Sequence, residues 1–154
     1  MEKPSHAGVI FPLPVIYLAA LALTFLLNWL QPLPTGGYPF VFWLGALLFV
    51  LGLGVNLWGA QGMIRARTPI NPYRPVTGVV TDGAFRLTRN PLYLGLHLIF
   101  LGTVLMLNLL WGLVVFLPLA LVIHYGVIRR EERHLAEKFG MAYRDYCGRV
   151  RRYF

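Results

Sequence analysis

The sequence predicts an all-α protein that crosses a membrane several times, with about four transmembrane helices in a single membrane domain over residues 1–154. Apolar residues make up 57% of the chain and charged residues only 13%, which leaves too little polar surface for a soluble globule of this size. The charges are also clustered, because thirteen of the 14 Lys and Arg residues lie in Arg65–Arg89 or Arg129–Arg152. Outside these clusters the chain is almost free of charge, over stretches long enough to hold several membrane spans.

The first two spans are predicted at residues 9–30 and 39–64, joined by a short loop rich in proline and glycine. Three glycines recur every seven residues in the second span and share one helical stripe, where another backbone can approach closely: Gly45, Gly52 and Gly59. Asn56 lies on the same stripe. A hydrogen bond to a neighbouring helix is the favoured interpretation of this side chain, ahead of a substrate contact.

The second half of the chain contains a stretch of 37 residues without a charge, Leu92–Ile128. A single helix of that length would measure roughly 55 Å, about twice the thickness of a bilayer's hydrocarbon core. The chain must therefore fold back, and residues 92–128 are predicted to form a helical hairpin that turns near Asn108 and Gly112. The hairpin would make Tyr93 and the pair Glu131-Glu132 neighbours at one membrane surface.

Two basic segments flank this hairpin, and the positive-inside rule places both in the cytoplasm. Residues 65–91 are predicted to form a cytoplasmic loop, whose length is typical of functional loops. Residues 129–154 are predicted to form a cytoplasmic surface helix with a basic, aromatic tail suited to anionic headgroups. We therefore expect an integral membrane protein with both termini and the site facing the cytoplasm. Basic residues placed in this way do not indicate a nucleic-acid partner.

The second half of the chain contains several short motifs in a fixed order. These are Val79–Arg86, Arg89–Gly95, Glu131-Glu132, Leu135, Phe139-Gly140, Tyr143, Tyr146 and Val150. This order resembles the isoprenylcysteine carboxyl methyltransferase family and its phospholipid methyltransferase relatives, over about half of the chain. The resemblance implies an integral membrane enzyme that transfers a methyl group from S-adenosylmethionine to a lipophilic small-molecule or lipid acceptor.

The resemblance also implies a cofactor site. The family's cofactor contacts correspond here to Thr77, Gly78, Val79, Val80, Phe85, Asn90, Pro91, Leu92, Tyr93 and Glu131. Asn90 stands where the family has a histidine, so the position keeps a hydrogen-bond donor and an acceptor but loses a titratable group.

The charges of the cofactor suggest two further residues. Arg89 or backbone N–H groups near Gly83 could hold its carboxylate, and either Glu131 or Glu132 could accept from its ammonium group or ribose. The glutamates, Arg89 and Tyr93 also have a simpler, structural interpretation. The two glutamates would be a solvated pair balanced by nearby arginines. Arg89 would be an interfacial anchor, and Tyr93 would be an aromatic residue of the membrane interface.

Four residues are candidates for a role in catalysis. His97 follows Tyr93 by one helical turn and His124 precedes Glu131 by two, so each could exchange a proton with the substrate or only make a hydrogen bond within the bundle. Arg129 and Arg130 are the candidates for holding an acceptor carboxylate. The family's own substrate-side arginine corresponds to an apolar residue here, Val127, which favours an uncharged or amine-bearing acceptor.

A metal site is not expected. Glu131 and His134 have the spacing used in di-iron bundles, but such sites need a second motif of this kind and further glutamates. Cys147 has no evident base partner and is interpreted as an inert thiol. The main alternative function is a non-catalytic lipid-binding or assembly subunit on the same scaffold. A small transporter is disfavoured, because the spans contain no carboxylate and no inverted repeat is visible.

Overall fold

The computed structural model of the chain describes residues 12–33, 37–69 and 77–153, and all regular secondary structure in these ranges is helical. The α-helices are α1 (Leu13–Leu30), α2 (Pro39–Arg65), α3 (Pro91–Met106), α4 (Trp111–Ile123), α5 (Arg129–Phe139) and α6 (Met141–Arg149). A 3₁₀ turn at Gly83–Arg86 precedes α3, and a π-helical turn at His124–Ile128 joins α4 to α5. The predicted all-α class is confirmed.

Within the described ranges, three helical stretches are long and apolar enough to cross a membrane: Leu13–Leu30, Pro39–Arg65 and Trp111–Phe139. Helix α3 is a shorter apolar helix of 16 residues. The multi-pass prediction is therefore confirmed. Helix α2 agrees with its predicted bounds within one residue, and the start of the first predicted span, residues 9–11, lies outside the described residues.

The described residues divide into two compact units. The apolar unit contains residues 12–33, 37–54 and 95–122, and the polar unit contains residues 55–69, 77–94 and 123–153. The apolar unit has no Asp, Glu, Lys or Arg, so every charged residue that the structure describes belongs to the polar unit.

In the apolar unit, glycines allow α2 and α3 to pack with their backbones in close approach. A Cβ added to Gly45 would lie 2.8 Å from the carbonyl oxygen of Gly102, and one added to Gly52 would lie 2.7 Å from that of Gly95. Real Cβ atoms do not come so close to a carbonyl oxygen, so only glycine fits at these crossings. The predicted packing stripe on α2 is confirmed.

The predicted hairpin turn is also confirmed in the apolar unit. Asn108 adopts φ +58°, a left-handed conformation that asparagine tolerates better than most residues. The N–H of Leu109 bonds back to the carbonyl of Val104. Beyond the turn, the backbone of Gly112 packs against the Val104 side chain and the Phe116 ring stacks on Phe100. The two arms of the hairpin are therefore antiparallel neighbours here.

In the polar unit, Asn56 donates a hydrogen bond of 3.0 Å from Nδ2 to the carbonyl oxygen of Leu92. This bond ties α2 to the first turn of α3 and confirms the structural interpretation of Asn56. One turn further along α2, Gly59 packs against the Pro91 ring.

The surface helix predicted within residues 129–154 is divided into two helices, so the prediction of a single helix there is wrong. Gly140 has φ +55°, and this conformation separates α5 from α6. Helix α6 ends before Val150, whose backbone is extended. The chain also has no helix boundary at residue 129, because the π-helical turn carries the helix from α4 directly into α5.

Candidate active site

The segment before α3 is held by the C-terminal residues of the polar unit. The N–H of Arg89 donates to the carbonyl of Arg151 over 3.0 Å. The carbonyl oxygen of Arg152 accepts two hydrogen bonds, one of 2.9 Å from Thr88 Oγ1 and one of 3.1 Å from Asn90 Nδ2. The Asn90 side chain, expected to contact the cofactor, thus uses its donor on the C-terminal backbone.

Glu132 is the centre of an ion-pair network. Arg152 binds its carboxylate in a bidentate manner, with Nε 3.0 Å from both oxygens and Nη2 2.7 Å from Oε2. Arg89 Nη1 lies 3.5 Å from Oε1 of the same carboxylate. Only 12% of the Glu132 side chain is exposed, so the interpretation of Glu132 as a solvated surface residue is wrong.

The guanidinium group of Arg89 lies inside the polar unit. Its side chain is 14% exposed, and Nη1 donates to Cys147 Sγ over 2.7 Å. Its Nε is buried and has no hydrogen-bond partner among the described residues. A cationic side chain in this position is not an interfacial anchor, and its buried N–H is left unpaired.

A cavity of about 360 Å³ lies in the polar unit beside these groups. Its charged lining consists of Arg89, Arg129, Arg133, Arg144, Arg152 and Glu132. Five guanidinium groups around one carboxylate give the cavity a strong excess of positive charge, which favours an anionic ligand group. Tyr143 also lines the cavity, and burial raises the pKa of its hydroxyl above the usual range, as does the charge of Glu132. The Tyr143 hydroxyl therefore stays protonated at neutral pH and can donate a hydrogen bond.

The predicted proximity of Tyr93 and Glu131 is confirmed. The Tyr93 hydroxyl donates to Glu131 Oε2 over 2.5 Å, and Tyr93 is 7% exposed. Tyr93 is therefore not an aromatic residue of the membrane interface. This hydrogen bond fixes one carboxylate oxygen of Glu131 and leaves the other to accept from a further donor.

The two candidate histidines belong to different units. His124 lies in the π-helical turn of the polar unit, with Nδ1 2.5 Å from the Tyr153 hydroxyl. His97 lies in the apolar unit, where Nδ1 is 3.1 Å from the Tyr17 hydroxyl and the ring packs edge-on against Phe116. π-Helical turns are frequent at functional sites, which makes His124 the stronger candidate.

The candidate arginines also differ in their surroundings. Arg129 lies over the Tyr125 ring, with 5.6 Å from its guanidinium carbon to the ring centroid, and it lines the cavity. Arg130 is exposed on α5. Val127, at the position of the family's substrate-side arginine, is buried, so no cation occupies that position here.

The loop residues predicted to enclose the cofactor have structural contacts of their own. Thr77 bonds to the end of α2 through the carbonyl of Arg67 and the hydroxyl of Thr68. Gly78, Val79 and Val80 follow in a non-helical segment. The carbonyl of Phe85 accepts from the Tyr146 hydroxyl over 2.7 Å, which joins the 3₁₀ turn to α6. Pro91 packs against Gly59 of α2, and the carbonyl oxygen of Leu92 accepts from Asn56.

Two residues of this network were missed by the sequence prediction. The tail was expected to bind lipid headgroups, and this is wrong for Arg152 and Tyr153, whose side chains bind Glu132 and His124. The basic and aromatic composition of the tail does not distinguish binding to lipid headgroups from binding to residues of the same chain. A buried carboxylate such as that of Glu132 requires a cationic partner. The distance along the sequence between Glu132 and each arginine does not indicate which arginine is that partner.

No group of three or more His, Cys, Asp or Glu residues able to hold a metal ion occurs in the part of the chain that the structure describes.

Comparison with known protein families supplies a match. The family model described as phospholipid methyltransferase matches residues 40–142, which is more than half of the chain and includes α2, the hairpin and α5. No curated protein and no solved structure matches the chain. The chain therefore belongs to the phospholipid methyltransferase family, a family of membrane methyltransferases.

Proposed function

We propose that the protein transfers a methyl group from S-adenosylmethionine to an amine-bearing lipid, at a site in the polar unit. The observation that supports this most directly is the cavity beside Arg89 and Glu132, whose arginine-rich lining suits the carboxylate of the cofactor. Its volume falls within the range typical of small-molecule sites. When bound, S-adenosylmethionine supplies a methyl group attached to a positively charged sulfur.

The residues of the polar unit fit the polar end of this cofactor. The unpartnered N–H of Arg89 and the excess of arginines suit its carboxylate. The free oxygen of Glu131 suits its ammonium group or ribose, because the other oxygen is already held by Tyr93. Asn90, Pro91 and the loop residues Thr77, Gly78, Val79, Val80 and Phe85 remain candidates for contacts to the adenosine part.

The acceptor is proposed to be an amine rather than a carboxylate. Val127 leaves the family's arginine position apolar, and Arg129 is engaged with an aromatic ring. At neutral pH such an amine is protonated and must lose one proton before its nitrogen can attack the methyl carbon, and His124 can take this proton. In the tautomer in which Nδ1–H donates to the Tyr153 oxygen, Nε2 is free to accept it.

We place the polar unit at the cytoplasmic side of the membrane, since it carries every charged residue of the described ranges. Single cysteines introduced at Gln31 and Thr77, in a Cys147→Ala background, test this placement. Labelling of the two from opposite sides is expected. Labelling of both from one side would contradict the hairpin topology.

Titration of the purified protein with S-adenosylmethionine, followed by transfer of its radiolabelled methyl group, tests the function. Vesicles of an amine-bearing phospholipid are compared with a farnesylated cysteine peptide, whose carboxylate is the alternative acceptor. Label in the phospholipid is expected, and label in the peptide alone would restore the carboxylate acceptor. Absence of cofactor binding would instead favour a non-catalytic lipid-binding or assembly subunit.

Variants of the four candidate catalytic residues refine the assignment of the acceptor. His124→Ala is expected to lower the rate of methyl transfer roughly a hundredfold, as for the loss of a general base. Arg129→Ala and Arg130→Ala are expected to retain most activity. Activity lost in either arginine variant, with cofactor binding intact and no effect of His124→Ala or His97→Ala, would contradict the amine acceptor.

A further inference from the structure

The last described residues, Val150–Tyr153, form a segment that we call the C-terminal strap. Within the polar unit it contacts three separate parts of the chain. Its backbone accepts hydrogen bonds from residues 88–90, the Arg152 side chain binds Glu132 on α5, and the Tyr153 hydroxyl binds His124 in the π-helical turn. One short segment thus connects three of the elements that carry the candidate site.

Arg152 makes two of these three connections itself. Its carbonyl oxygen holds Thr88 and Asn90, while its guanidinium group holds the Glu132 carboxylate through two parallel contacts. A bidentate pair of this kind fixes the plane of the carboxylate as well as its position. Arg152 therefore determines both where the loop lies and how Glu132 is oriented.

The orientation of Glu132 in turn affects Arg89. Glu132 is the acidic side chain paired with Arg89 in the described part of the chain, at 3.5 Å, and Cys147 accepts from the same Nη1 atom. With Nη1 held in this way, the buried Nε of Arg89 keeps a fixed direction and has no partner among the described residues. A cationic donor held ready in this manner reduces the entropy lost when an anionic group binds.

We infer that Arg152 is a positioning residue for the cofactor site, acting through Glu132 to hold Arg89 ready for the cofactor's carboxylate. This inference rests on the proposed function, because it assumes that the ligand of Arg89 is S-adenosylmethionine. It also assigns the C-terminal strap to the site and removes Arg152 from the residues available to membrane lipids.

Arg152→Ala and Arg152→Lys, in the full-length protein, test the inference. The probe is S-adenosylhomocysteine, which has the same carboxylate and needs no acceptor. Arg152→Ala is expected to raise its Kd roughly tenfold, as for the loss of a charge-assisted hydrogen bond. Arg152→Lys keeps the charge but not the planar fork, so its Kd should be intermediate. The matched control is Arg149→Ala, which removes the same charge from an exposed position of α6 and should leave Kd unchanged.

Chemical rescue separates positioning from a general loss of stability. Methylguanidinium should restore affinity in Arg152→Ala, where the Glu132 carboxylate is still present to bind it. It should not do so in the double variant Arg152→Ala with Glu132→Gln. A substitution that only destabilised the fold would lower Tm but would leave Kd unchanged at temperatures well below Tm. Added methylguanidinium would not restore the Tm of such a variant.

Unchanged Kd in Arg152→Ala, or a raised Kd with no rescue, would overturn the inference. Wild-type protein that binds neither S-adenosylmethionine nor S-adenosylhomocysteine would overturn the proposed function instead. Hydrogen exchange of residues 88–94 would then still test the strap without a ligand. Faster exchange in Arg152→Ala than in Arg149→Ala would support its positioning role, and equal exchange would overturn it.

Discussion

The apolar unit and the polar unit share α2 and α3 but are stabilised in different ways. In the apolar unit, the backbones of α2 and α3 approach closely at Gly45 and Gly52, and aromatic rings fill the hairpin. In the polar unit, hydrogen bonds and ion pairs centred on Glu132 and the C-terminal strap join the elements, in addition to packing contacts such as that of Gly59 with Pro91. Folding stability therefore depends mainly on close packing in the apolar unit and on paired charges in the polar unit.

This difference follows from what surrounds each set of residues. Within a bilayer, lipid tails are as apolar as leucine, so helices associate through close packing and not through the hydrophobic effect. The charged groups of the polar unit are partly removed from water, so each buried charge needs a partner. Substitutions that change volume should therefore affect the apolar unit most, and substitutions that change charge should affect the polar unit most.

The largest effect is expected for Gly52→Leu in the apolar unit. A side chain there would collide with the backbone of α3 at Gly95 and Ile99, so the variant should lose about 3 kcal/mol or more of folding free energy. Thermal unfolding in detergent and the yield of monodisperse protein measure this. Gly54→Leu is the matched control, because nothing lies within 4 Å of a Cβ at Gly54. Equal losses in the two variants would contradict packing through the glycine stripe.

The second prediction concerns charge in the polar unit. Glu132→Gln keeps the shape of the side chain but leaves the buried Arg89 without its counterion, and should cost about 3 kcal/mol of stability. Asp82→Asn removes a carboxylate from an exposed pair with Arg86 and should cost less than about 1 kcal/mol. Equilibrium unfolding of the two variants compares them directly. Similar small losses would show that the Glu132 network contributes no more than a surface pair.

Glu131→Gln should separate function from stability. The amide oxygen of the introduced glutamine would still accept a hydrogen bond from Tyr93, so folding should be nearly unaffected. Loss of the charge should weaken the binding of S-adenosylmethionine by roughly ten- to hundredfold, as expected for a charge-assisted hydrogen bond. Glu137→Gln, at an exposed position of the same helix, is the control. Equal affinities for the two variants would exclude Glu131 from the cofactor site.

The smallest effect is expected for Asn56→Ala. This change removes one hydrogen bond between α2 and the carbonyl of Leu92, and such bonds contribute on average about 0.6 kcal/mol in membrane proteins. Thermal unfolding should show a small decrease with cofactor affinity unchanged. A large decrease in affinity would instead indicate that Asn56 contacts the substrate.

The positions of the helices could be predicted from the sequence because they depend on local properties. The end of α2 follows from an uncharged stretch that stops at Arg65, and the turn at Asn108 follows from a stretch too long for one crossing. The Tyr93 and Glu131 contact also followed, since a hairpin of known length brings its two ends together. Each of these predictions needed only chain length and the absence of charge.

The break at Gly140 and the partners of the charged residues could not be predicted in this way. The residues around Gly140 have helical periodicity on both sides, and only its left-handed conformation separates α5 from α6. Glu132 has several arginines close to it in sequence, yet it is paired with Arg152, twenty residues away. Charge attraction has no periodicity, so the sequence contains no pattern that selects one arginine over another.

The sequence by itself therefore determined the membrane spans, the hairpin and the family of this protein, because hydrophobic length and motif order are properties of the chain. The tertiary structure decided which charges meet. It buried Arg89 and Glu132 together, and it brought the C-terminal strap across the segment before α3. The physical reason is that a partly buried ion pair forms only where the fold brings two side chains within a few ångströms and excludes water from both.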